Sequence, residues 1–239
     1  MPGDDELAKV TLAHLRDPSA ICARRLAREH ADGRGHASGT LRFAVSGRLE
    51  QCAALAQATM EPPRAVHFPD PTDLPPESRR VFATTVRWYL TIFGDTVARS
   101  EDSGGFVTPR PDLGIRLVGP AGLRFVDEHG AAELRLLRYG ARDGVPAALL
   151  EDPAVRFALL RHAEWLRGFA GPTRVTVADL IRGEAVTEAI DPHLVGPTCD
   201  AWLAEQVATI RLRVAEPVPT IGTACAWCGF IGSCEAFRA

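Results

Sequence analysis

The stretch Gly122-Leu-Arg-Phe-Val-Asp127-Glu128-His129-Gly130-Ala-Ala-Glu133-Leu-Arg135-Leu-Leu-Arg138-Tyr139 decides the class of fold. It shows β-like alternation on both sides of an Asp-Glu-His-Gly turn, the period of two that half-buried strands carry. A further β-like segment, residues 114–119, precedes it across Gly119-Pro120-Ala121-Gly122. Residues 114–139 therefore read as a meander of three strands.

On the N-terminal side the period is helical. Residues 4–15 carry apolar positions at helical spacing, and Asp17-Pro18-Ser19 is a start signal for a second helix carrying Ile21, Cys22 and Leu26. After a glycine-rich break at 31–39, residues 41–60 read as a third helix, with Cys52 inside it. A proline-rich loop, 61–76, leads into a long helix over 76–100. On the C-terminal side, 153–169 is helical, 173–180 is a strand followed by a turn at Gly183, and 197–214 is a last helix. The pattern predicts an α/β (α+β) chain with a central sheet flanked by helices. It reads as one domain over 1–239: a mainly helical part (1–105), a sheet core with helices (106–214) and a cysteine-bearing tail (215–239).

Composition narrows the function. The chain is 46% hydrophobic with a formal net charge of -3, so a packed core is expected and a chain-wide basic field is absent. Lys9 is the only lysine, so any lysine-dependent chemistry must run through it. No run of about eighteen or more apolar residues occurs, so no membrane span is expected. Residues 1–7 lack the features of a secretory signal, and a cytoplasmic protein is expected. In that compartment the six cysteines point to metal ligands or buried thiols rather than disulfides.

The tail reads Cys225-Ala-Trp-Cys228-Gly-Phe-Ile-Gly-Ser-Cys234. The C-x2-C step presents two thiolates to one centre from a single turn. Cys234 reaches the same centre after a second turn, and Gly229 and Gly232 permit the bends. Three thiolates leave a four-coordinate set one short. Trp227, Phe230 and Phe237 are candidates to shield the site or to meet a partner. Ordinary buried thiols are the bland alternative. Zinc is the chemical one, although zinc sites usually pair two short Cys or His steps and here there is one. On spacing alone the fourth ligand is Cys22, Cys52 or Cys199.

The arrangement Cys22 … Cys225-x2-Cys228-x5-Cys234 resembles the iron–sulfur subset of RecB-type PD-(D/E)XK nucleases, the group of the CRISPR adaptation exonuclease and the AddB-type helicase–nuclease. The resemblance implies a restriction-endonuclease-like central mixed sheet flanked by helices. It also implies a 4Fe-4S cluster held by Cys22, Cys225, Cys228 and Cys234 that joins the two ends of the domain. Ser19-Ala-Ile-Cys22-Ala-Arg-Arg-Leu26 is similar to the family's N-terminal segment, 122–140 to its catalytic strand pair and 173–180 to its later strand.

The cutting residues depart from that family. A nuclease of this kind needs carboxylates on a divalent ion and a lysine that orients water. Arg138 stands where the lysine is expected and Leu136 where the carboxylate is expected. Leu123 or Arg124 stands in place of the preceding aspartate, with Asp127 nearer the turn. Phe43 replaces an early-helix histidine, and Arg161-x3-Trp165 stands for a Gln-x3-Tyr helix motif. Arginine stays charged and delocalised and cannot replace a near-neutral amine.

The expectation is a nuclease-like fold without ordinary nuclease activity, acting in binding of single-stranded or duplex DNA. Arg24, Arg25, Arg28, Arg135 and Arg138 are the phosphate-contact candidates. Arg135 and Arg138 have opposite strand parity and cannot both face one groove. One alternative is an active metal-dependent DNA exonuclease or endonuclease on relocated groups. It would draw on Asp112, Asp127, Glu133 and Arg138 with Mg2+ or Mn2+. Another is a redox sensor or structural subunit that meets a protein partner. His36, His129 and His162 read as structural or solvent-facing.

Overall fold

The structure is a computed structural model. It describes residues 7–16, 22, 23, 25, 27, 41–65, 68, 72, 74–102, 107–139, 144–218 and 234. The architecture is mixed α/β, with two mixed sheets flanked by helices. The chain divides into two compact units.

The first unit takes residues 1–37, 105–120 and 198–239. Its sheet has the order β1 (Ala8–Thr11), β4 (Ile115–Val118), β3 (Val107–Arg110), with β1 parallel and β3 antiparallel to β4. β1 runs into α1 (Leu12–Arg16). The C-terminal helix α6 (Pro192–Ala215) buries Cys199, Leu203, Val207 and Ile210, one stripe at three- and four-residue steps. Within this unit Arg110 of β3 donates to Asp200 of α6 at 2.8 Å, and Arg211 donates to the Leu113 carbonyl at 2.5 Å. Elements from both halves of the sequence thus share one unit, and Cys22 and Cys234 belong to it as well.

The second unit takes residues 38–104 and 121–197. Its five-stranded sheet has the order β2 (Ala98–Glu101), β5 (Leu123–Asp127), β6 (Ala132–Arg138), β7 (Thr173–Asp179), β8 (Glu184–Ile190). All neighbours are antiparallel except β6 and β7. Between that parallel pair the chain passes through α4 (Pro153–Arg161) and α5 (Ala163–Leu166). α4 starts cleanly because Asp152 caps it, accepting from the Ala154 and Val155 amides, with Pro153 at the first position.

Two helices cover the other face: α2 (Leu41–Ala56) and α3 (Pro76–Phe93). α3 buries Ser78, Phe82, Thr85, Tyr89 and Phe93, a single stripe. Phe82, Tyr89 and Phe93 meet Val45, Leu49 and Ala53 of α2, and Leu123 and Phe125 of β5, in the unit's core. Each large apolar side chain enclosed there contributes about 1.5–3 kcal/mol.

Several elements differ from the sequence expectation, each for a physical reason. Residues 8–11 form a strand rather than the first helix, because pairing with β4 buries Val10 and overrides local helical spacing. The helix expected to reach residue 100 stops at Phe93, where Gly94 follows and its amide closes on the Leu90 carbonyl. Residues 98–101 become β2, and β2 supplies the third strand of the meander.

Segment 114–119, expected in that position, lies in the other sheet as β4. The connection from β4 to β5 runs through Pro120, with Gly119 and Gly122 at positive φ, and the two strands pair in different sheets. The helix over 153–169 breaks at His162, whose backbone leaves the helical region. The last helix begins at Pro192, earlier than expected, and holds Cys199 inside it. β3 and β8 were not anticipated, and the start signal at 17–19 lies outside the described residues.

Among the described residues no helix is long and apolar enough to cross a membrane.

Candidate functional site

The alternation of β6 puts Glu133 and Arg135 on one face, and that face looks into the α2–α3 layer. Both side chains are enclosed, Arg135 at 0% and Glu133 at 2% exposure. They meet as a bidentate pair: Arg135 Nε donates to Glu133 Oε1 at 2.9 Å and Nη2 to Oε2 at 3.0 Å. The remaining arm, Nη1, donates to Gln57 Oε1 at 2.5 Å and to the Tyr89 hydroxyl at 2.9 Å. The guanidinium carbon lies 4.3 Å from the Phe93 ring centroid and 4.0 Å from that of Phe125, so the cation is held between two aromatic faces.

Gln57 closes the network. Its amide donates to the Ala98 and Thr96 carbonyls at 3.0 and 3.3 Å, which turns its oxygen toward Arg135 and Tyr89. Across the parallel pair, Arg174 is the register partner of Glu133 and donates to its Oε2 at 2.7 Å. Asp127 Oδ2 lies 4.0 Å from Arg174. The charges therefore alternate Arg135, Glu133, Arg174, Asp127, from the enclosed core to a half-exposed rim.

Burial pushes the Glu133 carboxyl up, but the hydrogen bonds and charges of Arg135 and Arg174 outweigh it and hold the group below its ordinary value. Burial pushes the Tyr89 hydroxyl up, with Arg135 pulling the other way. Both groups keep their neutral-pH forms: Glu133 ionised, Tyr89 protonated.

This arrangement does not suit a divalent ion on Glu133. Both carboxylate oxygens are already taken by guanidinium donors. A doubly charged ion about 5 Å from one guanidinium meets a repulsion of roughly 6–7 kcal/mol at an effective dielectric of about 20, and here there are two. Mg2+ and Mn2+ therefore have no fitting carboxylate in Glu133. Asp127 is occupied otherwise: its Oδ1 accepts the His129 and Ala131 amides, both at 2.9 Å, and fixes the β5–β6 turn. Among the described residues no group of three or more His, Cys, Asp or Glu side chains is placed to hold a metal ion.

The structure joins Glu133 and Arg135, which the sequence reading gave separate roles. Arg135 is enclosed and does not reach a phosphate. Arg138 projects to the opposite face, where it donates to the Gly144 carbonyl at 2.6 Å and pairs with Asp152, the cap of α4. Asp112 lies in the first unit, paired with Arg110 at 2.6 Å. Lys9 also belongs to that unit, on β1 opposite Arg116.

Arg25 is half-buried, while Arg24 and Arg28 lie outside the described residues, as does His36. The side chain of Phe43 is likewise not described. His129 is exposed in its turn, and His162 is buried with Nε2 3.2 Å from the Ala121 carbonyl. Gln57, Tyr89, Phe93 and Arg174 were missed. Only the i, i+2 spacing of Glu133 and Arg135 on one strand could have signalled the network.

Among the cysteines, Cys22, Cys52, Cys199 and Cys234 form no disulfide, and Cys22 and Cys234 are half-buried. Cys225, Cys228, Trp227, Phe230 and Phe237 lie outside the described residues. Cys52 is packed in the apolar core of the second unit, whereas Cys22 and Cys234 belong to the first.

The fold and site define a mixed α/β protein with a closed arginine–carboxylate network in its larger sheet. No protein-family model matches the chain, and a search of the curated proteins finds no match.

Proposed function

We propose that this chain is a RecB-like, iron–sulfur-cluster-binding protein whose nuclease fold has lost its cutting chemistry and serves to bind DNA. The observation that carries the loss is the engagement of Glu133. This buried carboxylate of the larger sheet spends both oxygens on Arg135 and Arg174 rather than on a metal ion. Within the second unit the elements follow the order α2, α3, β2, β5, β6, α4, α5, β7, β8, which is compatible with a restriction-endonuclease-like central mixed sheet flanked by helices.

Cys22, Cys225, Cys228 and Cys234 would hold the 4Fe-4S cluster, whose part is to bind the chain ends together. The shared unit of Cys22 and Cys234 supports that reading. Arg24, Arg25 and Arg28 would contact phosphate through their planar forks.

The test uses cluster-replete protein, prepared without oxygen. Mobility shift with single-stranded, duplex and forked DNA at moderate salt should show binding. Incubation of the same DNAs with Mg2+ or Mn2+ should show no cleavage. Cleavage that disappears in Asp127→Ala, or in Glu133→Ala protein shown by circular dichroism to be folded, would establish an active nuclease instead, and the absence of any shift would remove the DNA role.

A further inference from the structure

Away from the buried network, on the opposite face of the sheet, Arg124 of β5 lies over Trp165 of α5, its guanidinium carbon 5.2 Å from the ring centroid. Trp165 is half-exposed, and its position is fixed from two sides. Phe169 packs edge-on at 5.0 Å and 66°, and the His162 ring sits at 6.4 Å and 76°. The helix break at His162 turns α5 away from α4, and the imidazole ties this corner to the Ala121 carbonyl.

Arg124 makes no ion pair among the described residues, and its Nε is buried without a hydrogen-bond partner. Glu101, its cross-strand neighbour, pairs with Arg99 at 2.8 Å instead. A guanidinium placed over an indole, with no ion pair to a carboxylate among the described residues, keeps donors for an external anion. An indole beside it offers a face to an unpaired base.

We propose that Arg124 and Trp165 form a contact for single-stranded nucleic acid, with Trp165 stacking one base and Arg124 holding the adjoining phosphate. The proposal rests on the DNA-binding reading above and adds where the strand lies and that it is unpaired. Burial lowers the basicity of Arg124 by more than the more distant charges of Asp102 and Glu101 restore. A bound phosphate supplies the close counter-charge.

The test measures fluorescence anisotropy of labelled oligothymidylate with the full, cluster-loaded chain across a salt series. Trp165→Leu should weaken binding roughly tenfold, and Trp165→Phe should keep most of it. Arg124→Ala should reduce the slope of log K against log salt by about 0.7, while Arg124→Lys should preserve the slope. Circular dichroism melts identify any variant that fails to fold. If Trp165→Leu does not fold, the Arg124 pair decides. Wild-type binding with folded Trp165→Leu and Arg124→Ala unchanged within twofold overturns this site and leaves the DNA role standing. Preference for fully duplex DNA overturns the stacking contact. Absence of wild-type binding overturns both.

Discussion

Arg135 and Glu133, two positions apart on β6, grip each other through two parallel hydrogen bonds of 2.9 and 3.0 Å with both side chains removed from water. Such a pair is costly to break from one side. Glu133→Ala leaves a guanidinium buried without its counter-charge and should lower stability by about 3–5 kcal/mol. Replacing both partners with apolar residues, Glu133→Leu with Arg135→Met, should recover most of that loss. Urea denaturation of the single and double variants measures the coupling. Additive losses would mean that the two side chains act independently.

Arg138 faces the other way and braces the cap of α4 through Asp152 and the Gly144 carbonyl. Arg138→Ala should therefore cost about 1–3 kcal/mol of stability, because it strips a charged partner from a half-buried carboxylate. DNA affinity and its salt slope should stay unchanged. A fall of about one in that slope would instead mark Arg138 as a phosphate contact.

His162 and Glu50 tilt the pH dependence in opposite directions. Burial, with Arg124 and Arg161 nearby, lowers His162 to about 4 from an ordinary 6.5. The fold thus holds this ring neutral. Its contribution is complete above pH 6.5 and is lost as pH falls through 6.5 toward 4, on the order of 3 kcal/mol in all.

Burial raises Glu50 from 4.5 to about 7. Its contribution is complete below pH 4.5 and is lost as pH rises through 7. The side chain is partly exposed, so solvent discounts the effect, and Glu50→Gln should gain about 1–2 kcal/mol at pH 8. Stability profiles of His162→Gln and Glu50→Gln from pH 4 to 8 measure both. Unchanged slopes would contradict the burial of these groups.

The hairpin at the centre of the larger sheet was legible because its signals are local: period-two alternation and an Asp-to-Gly turn. The strand over 173–179 was legible for the same reason. What the sequence hid was long-range. β1 and β2 are four residues each, and their strand character comes from partners more than twenty residues away rather than from their own pattern. The site was half legible. Glu133 and Arg135 stood out, but pairing an Arg with Gln57 and Tyr89 depends on how α2 and α3 pack on the sheet, which no spacing encodes. The cysteine pattern was fully visible as a pattern, and Cys52 is set apart from it only by its place in the second unit's core.

Anaerobic purification with iron and acid-labile sulfide assay, on wild type and on Cys22→Ser, tests the cluster most directly. Wild type should be brown, with iron and sulfide in equal amounts, and Cys22→Ser should lose metal and melt at lower temperature. Colourless wild type, or a Cys22→Ser protein with undiminished iron and an unchanged melting point, would contradict a cluster joining the two ends of the chain.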